Sequence, residues 1–122
     1  MARILLIEDS PTDRAVFAQL LQRHGHEALM ASNAEDGLDM AREYHPDLVL
    51  LDVVLPGMSG FQALRAMRRD PETSGIPVVI VSTKGMDTDR SWGLRQGAAD
   101  YFVKPPQEDA LISRINELVG AG

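Results

Sequence analysis

The chain has 122 residues, a length that fits one domain with a substantial core. It contains no cysteine, which excludes disulfide frameworks, thiolate zinc sites and cysteine nucleophiles. Its net charge of −6 argues against broad nucleic-acid binding, because such binding depends on Lys and Arg neutralising phosphates. The N-terminal MARILLIED is not a signal peptide, and no apolar stretch approaches the ~20 residues of a membrane span. We therefore expect one soluble cytoplasmic domain over residues 1–122, without membrane association.

The first half of the chain predicts two strand–helix units. Residues 4–7 form a continuous apolar run, which is typical of a parallel strand buried on both faces. Ser10 is a cap residue before a proline at the first helical position, and Gly25 marks the end of that helix. Residues 28–31 form a weaker strand, and Asn33 caps the next helix, whose first-turn acids suit the helix dipole. The apolar stripe of the first helix consists of Val16, Phe17, Leu20 and Leu21.

The second half repeats this alternation three times. Further strands are predicted at residues 48–51, 78–81 and 101–103. Ser59 and Gln62 fit a capping box at the start of one helix. Residues 86–96 form a helix with few apolar side chains, and Gly93 weakens it. The last helix carries an apolar stripe of Leu111, Ile112, Ile115, Leu118 and Val119. Five β–α units predict an α/β fold with a doubly wound five-stranded parallel sheet and helices on both faces.

In such folds the functional site lies beyond the carboxyl ends of the strands. The polar residues that follow the predicted strands are Glu8 and Asp9, Asp52, Ser82 and Thr83, and Lys104. Three ionised carboxylates about 4 Å apart repel by roughly 4 kcal/mol per pair at an effective dielectric near 20, so they need a cation. Hard carboxylate oxygens suit Mg²⁺, and a central carboxylate such as Asp52 can accept a phosphoryl group as a nucleophile. The sequence therefore predicts a site for Mg²⁺ and one phosphoryl group.

Four segments stand in order with the spacing of a known family: IEDS, LLDVVLPGMSG, VVIVSTK and GAADYFVKPP. Together they resemble the receiver domain of two-component response regulators, the CheY-like family. This resemblance implies a (βα)5 flavodoxin-like fold with strand order 2-1-3-4-5. It implies that Asp52 is the phosphoacceptor and contacts Mg²⁺. Glu8 and Asp9 are implied to bind Mg²⁺ as well, with Asp9 a direct ligand and the backbone carbonyl of Val54 completing the set.

The same resemblance assigns roles to the later strand ends. Ser82 and Lys104 are implied to bind the phosphoryl oxygens, and Tyr101 to change rotamer as Ser82 moves. The peptide bond before Pro105 is implied to be cis, which is rare outside such fixed geometries. A finer resemblance comes from DTDRSWGLRQGAADYF, which is similar to the stand-alone receivers of the twitching-motility chemosensory systems, particularly the PilH type.

The chain departs from the family pattern at three positions. Ser82 replaces the usual threonine, and Thr83 replaces a smaller residue and crowds the phosphoryl site. Val54 and Lys84 flank the path of an attacking water, and an apolar Val54 cannot orient that water. We hypothesise that self-hydrolysis of the phosphorylated protein is slow, and a phosphoryl half-life of seconds would contradict this.

These observations favour a signalling module over an enzyme. A CheA-like histidine kinase would phosphorylate Asp52 in a Mg²⁺-dependent step, and the face formed by the fourth helix, fifth strand and fifth helix would change its affinity for a protein target. We expect a monomer that controls motility or taxis through another protein, since no output domain follows the fifth helix. Trp92 would anchor the partner next to Tyr101.

Two alternatives remain at this point. The same acids and lysine could serve a Mg²⁺-dependent phosphatase or phosphotransferase that acts on small molecules, although Val54 stands where a second acid would be needed. The chain could also be a phosphate sink or a scaffold receiver. We interpret His24, His26 and His45 as surface residues and the six methionines as core filler.

Overall fold

The computed structural model describes residues 1–120 and contains five strands and five helices in strict alternation. The strands are β1 (Arg3–Ile7), β2 (Glu27–Ala31), β3 (Leu48–Leu51), β4 (Val78–Ser82) and β5 (Asp100–Val103). The helices are α1 (Pro11–Arg23), α2 (Ala34–Tyr44), α3 (Gly60–Arg69), α4 (Asp87–Arg95) and α5 (Glu108–Val119). All strands pair in parallel in the order β2-β1-β3-β4-β5. The predicted fold class and strand order are confirmed.

The sheet is covered on both faces because alternate residues of each strand point to opposite sides. In β1, Leu5 and Ile7 pack with α2 and α3, whereas Ile4 and Leu6 pack with α1 and α5. All four residues of β3 are buried, which explains its unbroken apolar sequence. α4 joins α2 and α3 on their side, where Gly93 lies against residues of β4 and β5. Two cores therefore sandwich the sheet, and its carboxyl edge remains free for a site.

The predicted helix starts are confirmed. Ser10 accepts a hydrogen bond from the Asp13 amide at 3.2 Å, and Asn33 accepts one from the Asp36 amide at 2.8 Å. Ser59 and Gln62 form the reciprocal capping box before α3. Each cap satisfies amide groups that the first helical turn cannot pair internally. Gly25, with a φ of 82°, follows the end of α1 at His24, as expected for a helix stop.

Three side-chain predictions were wrong in part. Val16 is 56% exposed, because it lines an open groove beside α1 instead of facing the sheet. His26 is buried: its Nδ1 accepts from the Ala2 amide at 3.2 Å, and its Nε2 is 2.9 Å from Asn116 Oδ1. Of the methionines predicted to fill the core, Met67 is fully buried, whereas three are exposed: Met1, Met30 and Met86.

Within residues 1–120, no helix is both long enough and apolar enough to cross a membrane.

Candidate functional site

Three carboxylates meet where β1 and β3 end. These strands are neighbours, and the Asp52 amide donates to the Ile7 carbonyl at 3.1 Å, which continues the pairing one step past the strands. Glu8 and Asp52 are buried, whereas Asp9 is exposed. Oxygen atoms of Glu8, Asp9 and Asp52 lie within 4.8 Å of one another. Two adjacent central strands therefore bring together the acids that the sequence singled out.

The backbone behind Asp52 is held by the start of α3. The Gly60 amide donates to the Val53 carbonyl at 3.0 Å. A Cβ at residue 60 would lie 2.2 Å from the Asp52 carbonyl oxygen and 2.5 Å from the Val53 Cα. Only glycine permits this approach, because neither contact can move without shifting backbone. The first turn of α3 thus fixes the position of the peptide that carries Asp52.

Lys104 approaches the acids from the end of β5, an edge strand of the sheet. Its ammonium donates to a carboxylate oxygen of Glu8, to Asp13 Oδ2 at 2.8 Å and to Asp52 Oδ2 at 3.1 Å. It also lies 5.9 Å from the centroid of the Phe17 ring, within the range of a cation–π contact. The Lys104 side chain is only 11% exposed. A single cation therefore joins the acid cluster to α1.

The charges in this cluster depend on one another. Burial raises the pKa of the Glu8 carboxyl, although hydrogen bonds from Lys104 and the Ser10 amide oppose this. Burial alone would lower the pKa of Lys104, but its hydrogen bonds with Asp13, Glu8 and Asp52 outweigh that effect and hold the pKa above its ordinary value. Lys104 is therefore a permanent positive charge at neutral pH, and the acids around it favour a further cation.

Ser82 and Tyr101 lie on the neighbouring strands. Ser82 is fully buried at the end of β4, where its Oγ accepts from the Lys84 amide at 3.3 Å. The Tyr101 ring is turned inward, and its hydroxyl donates to the Lys84 carbonyl at 2.5 Å. Burial raises the pKa of this hydroxyl, and the charge of Asp89 raises it further. Both side chains thus hold the short segment that leads from β4 to α4.

The remaining predicted residues lie around this edge. Val54 is 47% exposed, and its amide donates to Asp52 Oδ1 at 3.1 Å. Thr83 and Lys104 both line a groove of about 580 Å³ between α1 and the start of α5. Trp92 lies on α4 with its side chain 45% exposed. The peptide bond between Lys104 and Pro105 is cis, as predicted.

Sequence reasoning missed Asp13. Its carboxylate lies outside the cluster of three acids but accepts a hydrogen bond from Lys104. Asp13 is the third residue of α1, and its amide is capped by Ser10. Its position in the sequence was the available signal. The helix starts directly after the acidic end of β1, so a side chain in its first turn can face the strand ends. The sequence offered a simpler explanation, since an acid in the first turn is favoured by the helix dipole.

The arrangement fits a hard divalent cation next to a phosphoryl group. Three carboxylates offer oxygen ligands of the type that Mg²⁺ prefers, and the exposed Asp9 leaves the cluster open to water. Asp52 is central, because it follows β3, the middle strand of the sheet, and lies between the other two acids' strand and Lys104 at the end of β5. With a cation in the carboxylate cluster, an Asp52 oxygen would have positive charge on two sides, which would suit it to accept a group that carries negative charge.

Comparisons with known proteins match the chain to receiver domains. A family model described as the response regulator receiver domain matches residues 4–116. Protein PilH of Pseudomonas aeruginosa is 50% identical over 119 residues, which cover 98% of both chains. Several other curated relatives are transcriptional regulators, and the chain spans about half of their length.

Solved structures show the same fold. The receiver domain of the Pseudomonas aeruginosa sensor histidine kinase PA1611 has a TM-score of 0.90 and 25% identity, with 98% of both chains covered. That structure is described with a magnesium ion coordinated in its active-site cleft. Chemotaxis protein CheY4 of Vibrio cholerae has a TM-score of 0.88 and 26% identity, with 97% of this chain and 98% of that chain covered. On the match of the family model and the full-length relative, the chain belongs to the response regulator receiver domain family of two-component signalling proteins.

Proposed function

We propose that this chain is a stand-alone response regulator that accepts a phosphoryl group on Asp52 from a histidine kinase. The observation that carries the proposal is the position of Asp52, which follows β3, the middle strand of the sheet, and lies buried in the carboxylate cluster with its Oδ2 3.1 Å from the Lys104 ammonium. In the transfer, an Asp52 carboxylate oxygen forms a bond to phosphorus. The bond from phosphorus to the donor histidine nitrogen breaks, and that nitrogen keeps the electron pair.

Each residue of the site has a role in this step. Lys104 and Ser82 would bind the phosphoryl oxygens, and Glu8, Asp9, Asp52 and the Val54 carbonyl would hold Mg²⁺. The bound Mg²⁺ supplies positive charge that offsets the charge of the transferring group. The fixed ammonium of Lys104 opposes the same charge from the side of β5. Val54 and Thr83 border the site, and we propose that they limit the access of a hydrolytic water.

Phosphorylation would switch the protein through a local change in charge. The phosphoryl group carries about −1.5 to −2 charges if it ionises as phosphoserine does, and because it replaces the single negative charge of the Asp52 carboxylate, the net change is about −0.5 to −1. This charge would draw Ser82 toward the phosphoryl group and pull on the segment after β4. Tyr101 would respond, because its hydroxyl bonds to the Lys84 carbonyl in that segment. The surface formed by α4, β5 and α5, including the exposed Trp92, would then change its affinity for a protein partner.

The proposed partners follow from the similarity to Protein PilH and from the family. We propose a CheA-like histidine kinase as phosphodonor, a protein as downstream target and twitching motility or taxis as the output. We further propose that the chain acts as a cytoplasmic monomer. The support is the 50% identity over 98% of both chains, together with a net charge of −6 that disfavours nucleic acid.

Incubation of the protein with Mg²⁺ and acetyl phosphate tests the acceptor. Intact mass should show the addition of one phosphoryl group, and the Asp52→Asn variant should show none. Beryllofluoride, which mimics the phosphoryl group, should change the Trp92 fluorescence in the unmodified protein but not in that variant. Removal of Mg²⁺ by a chelator should abolish both effects.

The contrary results are distinct. Steady turnover of a small phosphate ester by the wild-type protein would favour a phosphatase or phosphotransferase. An unmodified mass, under conditions in which another receiver is modified, would favour a scaffold. Phosphorylation that persists in Asp52→Asn would place the acceptor on a different residue.

A further inference from the structure

Lys104 has three carboxylate partners, and they differ in one respect. Glu8 and Asp52 accept hydrogen bonds from Lys104, and both are also members of the three-carboxylate cluster, whose oxygens lie within 4.8 Å of one another. Asp13 accepts a hydrogen bond from Lys104, with its Oδ2 2.8 Å from the ammonium nitrogen, but it is not a member of that cluster. Glu8 and Asp52 would therefore have a second role as cation ligands, whereas Asp13 lies outside that cluster.

This difference matters once the site is loaded. Oxygens of Glu8 and Asp52 that turn toward a cation or a phosphoryl group are lost to Lys104. An ammonium has three hydrogens to donate, and each one that stays unpaired in a buried position costs free energy. The Asp13 carboxylate is the partner that remains available throughout. We propose that Asp13 is a positioning residue, which keeps the Lys104 ammonium in place for phosphoryl transfer independently of the acid cluster.

Asp13 is itself held firmly. Its amide is capped by Ser10 at 3.2 Å, which fixes the first turn of α1. One residue further on, the Arg14 guanidinium donates to the carbonyls of Glu8 and Asp9 at 2.9 and 3.0 Å. This side chain ties α1 to the backbone of two cluster residues. These contacts fix the backbone of Asp13 relative to the acids, so its short side chain, which is 39% exposed, starts from a defined position when it reaches Lys104.

The simpler account is that Asp13 only stabilises the start of α1 through the helix dipole. That account predicts an effect on stability and none on Lys104. The proposal predicts an effect on Lys104 that a neutral residue cannot reproduce and that a longer carboxylate restores. The two accounts can be separated by a measurement on the lysine itself.

The chain has two lysines, Lys84 and Lys104, so one can serve as the internal reference for the other. The folded protein is treated with a trace of acetic anhydride, with and without Mg²⁺, and mass spectrometry gives the ratio of acetylated Lys104 to acetylated Lys84. The variants are Asp13→Asn, Asp13→Glu and Glu108→Gln. Glu108 lines the same groove as Asp13 and Lys104 but pairs with Arg23 at 2.5 Å, so its variant controls for the loss of one charge.

We expect Asp13→Asn to raise the ratio about threefold without metal and about tenfold with Mg²⁺, because a lost charge-assisted hydrogen bond frees the amine. Asp13→Glu should return to within about twofold of the wild type, and Glu108→Gln should leave the ratio unchanged. An unchanged ratio in Asp13→Asn would overturn the proposal. An equal rise in Glu108→Gln would also overturn it, since charge alone would then explain the result.

The consequence for phosphoryl transfer rests on the proposed function and is measured separately. Asp13→Asn should slow phosphoryl uptake from acetyl phosphate about three- to tenfold, and by less than about twofold when Lys104 is already Met. Equal slowing in both backgrounds would show that Asp13 does not act through Lys104. If the wild-type protein takes up no phosphoryl group, the proposed function fails, but the acetylation ratio without metal still decides whether Asp13 holds Lys104.

Discussion

α3 and α4 lie on the same side of the sheet and have similar lengths of 10 and 9 residues, yet they are held in different ways. α3 buries Ala63, Leu64 and Met67 in the core and begins with a complete capping box. The only buried residue of α4 is Gly93. The side chain of its cap residue, Met86, makes no hydrogen bond, and the cap amide donates to Asp89 at 3.2 Å.

The difference separates a well-packed helix from a weakly packed one. α3 backs the peptide of Asp52, so a shift of α3 would displace Asp52. α4 contacts the sheet chiefly through backbone at Gly93, next to the inward Tyr101 ring. A helix with little buried apolar area opens or shifts at low free-energy cost. The asymmetry fits the proposed switch, in which the site keeps its shape while the face that contains α4 moves.

Loss of one leucine in each helix gives the largest contrast. Leu64→Ala in α3 should lower the free energy of unfolding by about 2–5 kcal/mol, because it leaves a cavity in the core. Leu94→Ala in α4, where the side chain is 44% exposed, should change it by less than about 0.5 kcal/mol. Urea unfolding at neutral pH measures both, and equal losses would show that α4 is packed as tightly as α3.

Gly93→Ala tests how closely α4 packs against β4 and β5. The added Cβ would lie 2.9 Å from Ile80 Cδ1 and 3.0 Å from Tyr101 Cδ2. Alanine favours a helix by about 1 kcal/mol over glycine, but we expect overpacking to win and to destabilise the protein by about 1–3 kcal/mol. Gly75→Ala, in the turn before β4, controls for the added methyl group alone, since its Cβ would meet no atom within 4 Å, and unfolding curves compare the two. A more stable Gly93→Ala protein would mean that α4 moves aside freely.

Substitutions at the two helix starts should give the smallest changes in stability, and the changes in α3 and α4 should have opposite signs. Ser59→Ala removes the cap of α3 and should cost about 1 kcal/mol of stability. Met86→Ser supplies a capping hydroxyl to α4, whose cap residue already has an extended backbone with φ −74° and ψ 151°. It should stabilise the protein by up to about 1 kcal/mol and slow hydrogen exchange in α4. A loss of stability would show that this start is not limited by its missing cap.

The sequence predicted the strands and the acid cluster because both depend on local patterns. Buried parallel strands are continuously apolar, and residues that follow such strands share one edge. It did not reveal the pairing of Asp13 with Lys104 or of His26 with Asn116, whose partners are 91 and 90 residues apart. Nor did it show the contact of Gly93 with Tyr101: in sequence that glycine only weakens a helix, whereas in the fold it lets the helix approach the ring.

The contact at Gly60 restricts how this protein can be engineered. Because a Cβ there would press on the peptide of Asp52, the residue at this position has to remain glycine. A reporter peptide or affinity tag inserted into residues 53–59 that displaces Gly60 should therefore disturb Asp52 even if the domain still folds. The turn around Gly75, where an added side chain meets nothing, is the better place to open the chain for a biosensor.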